Sequence, residues 1–386
     1  MRFRHHDGTL VHAAYCTNVH AAEDLDGVLE QLGRFCEPVR TELDLDTLGV
    51  GLWLARPVAT ALTRDHAAIE RLRRELALRG LEVVTLNAFP YTGFQHDVVK
   101  HNVYSPDWAD PARLAYTLDC ARILAHLLPD DATRGSVSTL PLAWRTPWPA
   151  ERSDAARRAL DHLAAGLEHI ESRHGRRIRV GLEPEPGCVL ETTDQAVAAL
   201  RGTDPDRIGV CLDTCHLAVG FEDPHTALVT LENAGIPVVK SQASCALHAQ
   251  APTPDTLRPY AEPRFLHQTR EAGTPPLAVD DLPQAIAGGL PGNAPWRVHY
   301  HLPLHGRPRA PLTATHDVLD RALEGLFAGP RARTDHIEVE TYTWPVLDDT
   351  GPPTPRALVA GIAAELAALR AALLDLGLKP ADRKGT

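Results

Sequence analysis

The chain has 386 residues, 44% hydrophobic and 23% charged, an ordinary make-up for a globular protein and long enough for one large barrel. Its formal charge of −11 argues against a nucleic-acid partner, since binding a polyanion draws on surplus Lys and Arg. The seven cysteines are scattered without a C-x-x-C pair, as reduced thiols in a cytoplasm would be. No stretch supplies the roughly 18 uncharged apolar residues of a membrane span, and Met1 to Asp7 lacks the apolar run of a signal peptide.

In chain order, the β-rich runs are Val11 to Tyr15, Val50 to Leu54, Val83 to Phe89, Ser136 to Leu140, Ile178 to Glu183, Ile208 to Asp213, Pro237 to Ser241 and His336 to Glu340. Most are continuously apolar, the pattern of strands buried on both faces. Helical stretches separate them. Asp65 to Arg79 places Ile69, Leu72 and Leu76 on one face and is ended by Gly80. Ser153 to Gly175 is read with Ser153 as its N-cap. Pro355 to Leu376 aligns Leu358, Ile362, Leu366, Leu369 and Leu373, and is expected to close the barrel floor or side. Strands alternating with helices give a parallel α/β sheet. No G-x-G-x-x-G follows the first strand, which weakens a doubly wound dinucleotide fold. The expectation is a (β/α)8 barrel, one domain over 1–386. Long loops follow the third strand (Pro90 to Pro111) and the seventh (about 245–311), and a last helix covers about 355–377. The second loop is rich in Pro and Gly and holds an extra β-like run, Val298 to Leu302. In the first, Tyr91, Lys100 and Trp108 are candidates for a lid.

Three apolar strands end in acids. Gly209-Val210-Cys211-Leu212-Asp213 is followed by His216 on the turn, Val180-Gly181-Leu182 delivers Glu183 before Pro184, and Ile337-Glu338-Val339-Glu340 sends both acids to one side. Carboxylates at the ends of buried strands are costly unless they meet a cation, and an imidazole beside them extends the set of ligands to one or two ions. Glu185 and Glu338 are second choices, which a rim ion pair or a pairing with Lys or Arg inside the barrel would equally explain. His299 and His301 alternate to one side of their run, and His20 stands at the end of the first strand; all three are candidate substrate contacts.

Residues 209–216 resemble the signature of the endonuclease IV and xylose isomerase-like superfamily. Leu182-Glu183 and Val339-Glu340-Thr341 resemble its fifth and eighth strand ends. The resemblance implies that Glu183, Asp213 and Glu340 are metal ligands and that His216 is a ligand or a substrate contact. The seventh strand departs from it: Val238-Val239-Lys240-Ser241-Gln242 has no histidine. Gln242 is then a candidate neutral oxygen ligand and Lys240 a candidate contact to a substrate oxygen. The zinc endonucleases use histidines where Asn87 and Ser138 stand here, so the ligand set favours a single Mn2+, Mg2+ or Zn2+ over a trinuclear cluster.

Nearly the whole chain also resembles the EboE-type metabolite traffic proteins, through Tyr15-Cys16-Thr17-Asn18-Val19-His20, Asn87-Ala88-Phe89-Pro90-Tyr91 and Tyr104-Ser105-Pro106-Asp107-Trp108. That likeness implies a polyhydroxylated metabolite, a sugar or cyclitol, and no particular reaction. Association with further copies of the chain is left open. Three functions follow as expectations. The first is an isomerase or epimerase in which Glu183 and Glu340 exchange a proton through a metal-stabilised enediolate. The second is a metal-dependent hydrolase like endonuclease IV, and the third a binding or carrier barrel without turnover.

Overall fold

The computed structural model of the chain describes residues 1–132, 134–347 and 351–381. All eight expected runs are strands: β1 Leu10–Cys16, β2 Leu48–Trp53, β3 Leu81–Asn87, β4 Arg134–Thr139, β5 Arg177–Leu182, β6 Ile208–Asp213, β7 Val238–Ala243 and β8 His336–Val339. Each pairs in parallel with the next, and β8 pairs in parallel with β1, so the sheet closes into a barrel. The register aligns the chemistry: Asp213 lies opposite Gln242, and Glu338 opposite Gln242 on the other side. The strand Arg2–Arg4 pairs antiparallel with the start of β1, and Lys379–Pro380 pairs back onto it.

Successive strand residues face opposite sides. The apolar set, including Val137, Val180, Val210 and Val239, is buried with helix residues such as Leu72, Leu163 and Leu366. The other set makes a polar barrel interior. Arg2 pairs with Glu82 (2.6 Å) and Arg179 with Asp335 (2.8 Å). Ser136 Oγ lies 2.9 Å from Thr85 Oγ1 and 2.7 Å from His336 Nδ1. Lys240 pairs with Glu338, both fully buried (0% exposed). Gly51 is required beside that pair, because a Cβ there would lie 1.3 Å from Glu338 Oε1.

The helix His66–Leu78 starts on Asp65, whose side chain accepts from Ala67 N, and gives way to Gly80 in the left-handed region (φ 64°). The long helix Ala150–His174 starts on Pro149, so Ser153 lies within its first turn and is not its N-cap. Proline suits the edge of a helix, where a missing N–H costs nothing, and here it outranks the serine. The last helix, Pro355–Asp375, buries Leu358, Ile362, Leu366, Leu369 and Leu373. By length and composition it could cross a membrane, although Glu365 and Arg370 interrupt its apolar run. It nevertheless packs on the barrel through buried Glu365, which accepts from Thr341 Oγ1 (2.7 Å) and Trp344 Nε1 (2.8 Å).

The region expected to be mostly loop, about 245–311, instead holds most of a second sheet. Five antiparallel strands run in the order Leu277–Val279, Thr269–Glu271, Trp296–Leu302, Cys245–Ala249 and Thr313–Ala314. Cys245–Ala249 follows β7 after the single residue Ser244, so this sheet grows directly out of the barrel wall.

Candidate metal centre

The strand ends bring Glu183, Asp213 and Glu340 together at the C-terminal face, with one oxygen of each within 4.8 Å of the others. Asp213 caps the short helix Thr214–Val219, accepting from Cys215 N (2.7 Å) and His216 N (3.0 Å) through Oδ1. Its Oδ2 is buried with no hydrogen-bond partner among the described residues. Glu183 accepts from Gln242 Nε2 at 2.9 Å on both oxygens, and Gln242 Oε1 is buried without a donor. Glu340 Oε1 accepts from Asn18 Nδ2 (2.7 Å) and Asn87 Nδ2 (2.9 Å). Burial, reinforced by the neighbouring carboxylates, holds Glu183 and Glu340 well above the usual carboxylate range; burial also raises Asp213. Three crowded acceptors, one with an unpartnered oxygen of its own and one beside the unpartnered Gln242 Oε1, are what a hard divalent ion would satisfy, and the donor set fits one.

Beside the carboxylates stand three imidazoles. His216 comes from the turn after β6, and His299 and His301 from the strand Trp296–Leu302. Each Nδ1 faces an acceptor: Pro184 O for His216 (2.9 Å), Gln268 Oε1 for His299 (2.7 Å) and the Glu340 backbone O for His301 (2.8 Å). Each Nδ1 therefore carries the proton, which leaves Nε2 as a bare lone pair. His299 Nε2 lies 3.1 Å from His216 Nε2 and 3.0 Å from His301 Nε2. Converging lone pairs repel unless a proton or a cation lies among them, and His216 and His301 with Asp213 offer one group of ligand atoms able to hold a metal. Burial pushes His216 down to about 3 and His301 to about 4, and His299 well below the ordinary histidine value, so the rings stay neutral.

Two expected substrate contacts lie elsewhere. His20 is stacked on Phe35 (4.3 Å between ring centres) and touches Tyr15 OH (3.2 Å), because the single turn Thr17–Val19 swings it outward and presents Asn18 instead. Lys240 points into the barrel interior and is held by Glu338. Glu185, a second choice in the sequence, lines the cavity. It accepts from Tyr104 OH (2.8 Å) and Gln268 Nε2 (3.2 Å), and burial pushes it up to about 8. Sequence reasoning missed Asn18, Gln268 and Tyr342; Asn18 stood in a quoted motif, two residues from the histidine chosen. Of the lid candidates, Lys100 lines the cavity, Trp108 is buried with its Nε1 on Leu140 O (3.1 Å), and Tyr91 packs on Tyr116.

Residues 42–244 match the xylose isomerase-like TIM barrel family, and the chain belongs to it. No curated protein matches the chain by sequence. Solved structures agree in fold. A xylose isomerase-like TIM barrel protein from Mycobacterium smegmatis in complex with magnesium is 16% identical, with a TM-score of 0.51 over 94% of this chain and 98% of that one. A D-tagatose 3-epimerase-like protein is 14% identical, with a TM-score of 0.52 over 95% and 100%. A D-psicose 3-epimerase from Clostridium cellulolyticum H10, solved with D-tagatose, is 14% identical, with a TM-score of 0.50 over 94% and 99%.

Proposed function

We propose that the chain is a metal-dependent isomerase or epimerase acting on a hydroxy-carbonyl compound of the sugar or cyclitol kind. The observation that carries the reading is the triad Glu183, Asp213 and Glu340, gathered at the ends of three strands with Asp213 Oδ2 and Gln242 Oε1 unpartnered. A divalent ion held by the triad, with Gln242 as a neutral donor, would supply Lewis-acid polarisation of a carbonyl. Glu183 and Glu340 approach the same space from the ends of different strands, so in this reading one takes a proton from the carbon beside a carbonyl and the other returns it. Gln242 orients the first, and Asn18 and Asn87 the second. Burial and the crowding of the three acids raise both carboxyls above the usual carboxylate range, and a cation among them would offset that rise.

A second reading, a metal-dependent hydrolase, has one observation in its favour. His216 and His301 form a further donor group with Asp213, which the triad also uses. Metal content per chain, purified without added ions, separates the two. About one ion in the wild type and much less in Glu340→Ala is the result expected of the isomerase site. Two or three zinc ions would favour the hydrolase. No metal after reloading with Mn2+ and Zn2+ would sink both.

A further inference from the structure

The cavity above the triad changes character with height. Glu183, Glu340 and His299 come from strand ends and their neighbours, whereas Phe94, Val99 and Val103 come from the loop after β3, and Phe265 and Leu266 from the insertion. Phe94, Phe265 and Tyr342 pack on one another, with ring centres 4.8–5.4 Å apart, and join three distant segments into one aromatic wall. Tyr342 connects wall to floor: its ring lies 4.5 Å from that of His301, and its hydroxyl 3.3 Å from His299 Nε2. Floor and wall line one and the same cavity.

No free positive group faces this space among the described residues. Lys100 is the one Lys or Arg in the lining, and its Nζ is committed to Asp281 (2.6 Å) and to Phe265 O (2.7 Å). The backbone N–H groups of Val99 and Lys100 both donate to Arg264 O (2.8 and 3.0 Å), so the two loops are latched to each other over the site. With the head of a substrate on the carboxylate floor, a phosphate dianion at its outer end would meet the aromatic wall without a counter-charge there, an uncompensated burial. A bare sugar would press its outer hydroxyls against a wall that offers them few partners. An alkyl or aryl group gains from the same wall, at roughly fourfold in affinity per buried methylene.

We propose that the substrate is neutral and two-part, with a hydroxy-carbonyl or polyol head on the carboxylate floor and an apolar alkyl or aryl body against the Phe94–Phe265–Tyr342 wall, and that phosphate esters are excluded. The head rests on the function proposed above; the body is read from the wall alone.

The test is calorimetric titration of the full chain loaded with Mn2+, using dihydroxyacetone, dihydroxyacetone phosphate and 2-hydroxyacetophenone. The aryl ketone should bind at least tenfold more tightly than dihydroxyacetone, and the phosphate ester more weakly than either. Phe94→Ser should abolish the aryl advantage while leaving the Mn2+ stoichiometry and the dihydroxyacetone affinity unchanged. If that variant does not fold, Val103→Ser carries the same comparison. An aryl ketone no tighter than dihydroxyacetone, or a preference for the phosphate ester, overturns the proposal. Repeating the titrations in EDTA separates the two readings. An aryl advantage that survives where Mn2+ neither binds nor matters would leave the wall standing and sink the metal-dependent head. Metal-dependent head binding with no aryl advantage would do the reverse.

Discussion

Replacing Lys240 by methionine separates a structural from a substrate-binding role for that residue. Methionine keeps most of the length of the side chain and removes its charge. Among the described residues Glu338 would then be left with no partner, since its Oε1 already has none and its Oε2 is held by Lys240 alone. Water cannot relieve it, because both side chains are fully buried and Gly51 packs directly against the carboxylate. Removing one partner of a buried pair costs about 3–5 kcal/mol, a large part of the roughly 5–15 kcal/mol that holds a domain folded. Replacing both, Lys240→Met with Glu338→Leu, removes both desolvated charges and should recover most of the loss. The assay is urea unfolding at pH 7 for wild type, both single variants and the double variant, read as a double-mutant cycle. A loss below about 1 kcal/mol in Lys240→Met, or a double variant equal to the sum of the singles, would refute the reasoning. Unchanged stability with weakened hydroxyketone binding would return Lys240 to the role expected from sequence.

Three further outcomes follow from the same geometry. His336 is buried, and burial pushes it down to about 3. The unfolded chain binds a proton near 6.5 that the fold refuses, so this stability is full above that pH and is lost as pH falls towards the folded value. Between pH 7 and 5 it amounts to roughly 2 kcal/mol, and His336→Gln should flatten the urea midpoint against pH by that much. Gly51→Ala must displace Glu338 from Lys240, and thermal unfolding should show it several degrees less stable than wild type; an unchanged midpoint would mean the carboxylate has room to move. Asn87→Ala removes one of two donors to Glu340 Oε1, and competition against a chelator should show metal affinity reduced roughly tenfold or more.

The barrel was legible because its strands are continuous apolar runs with acids at their ends, a signal that survives without knowledge of the neighbours. The triad was legible for the same reason. A Lys or Arg partner for Glu338 inside the barrel was legible as an alternative, but not that it is Lys240, since that depends on the register between β7 and β8, which places Glu338 opposite Gln242 and leaves the lysine one layer deeper. The second sheet was hidden by strands as short as Thr313–Ala314 and by its proline and glycine content, which read as loop. His20 was misplaced because one turn of tight helix, Thr17–Val19, decides which side chain enters the site, and no periodicity announces so short an element.

The single residue Ser244 between β7 and Cys245–Ala249 ties the fate of the two sheets together. His299 and His301 ride on a strand whose register is set against Cys245–Ala249, with Val298 opposite Leu247 and Leu302 opposite Cys245. The insertion therefore cannot fray on its own without drawing two imidazoles away from His216 and Asp213. Local opening of the appendage and dismantling of the site become one equilibrium, which hydrogen exchange along Trp296–Leu302 would read as a single protection factor shared with the end of β7.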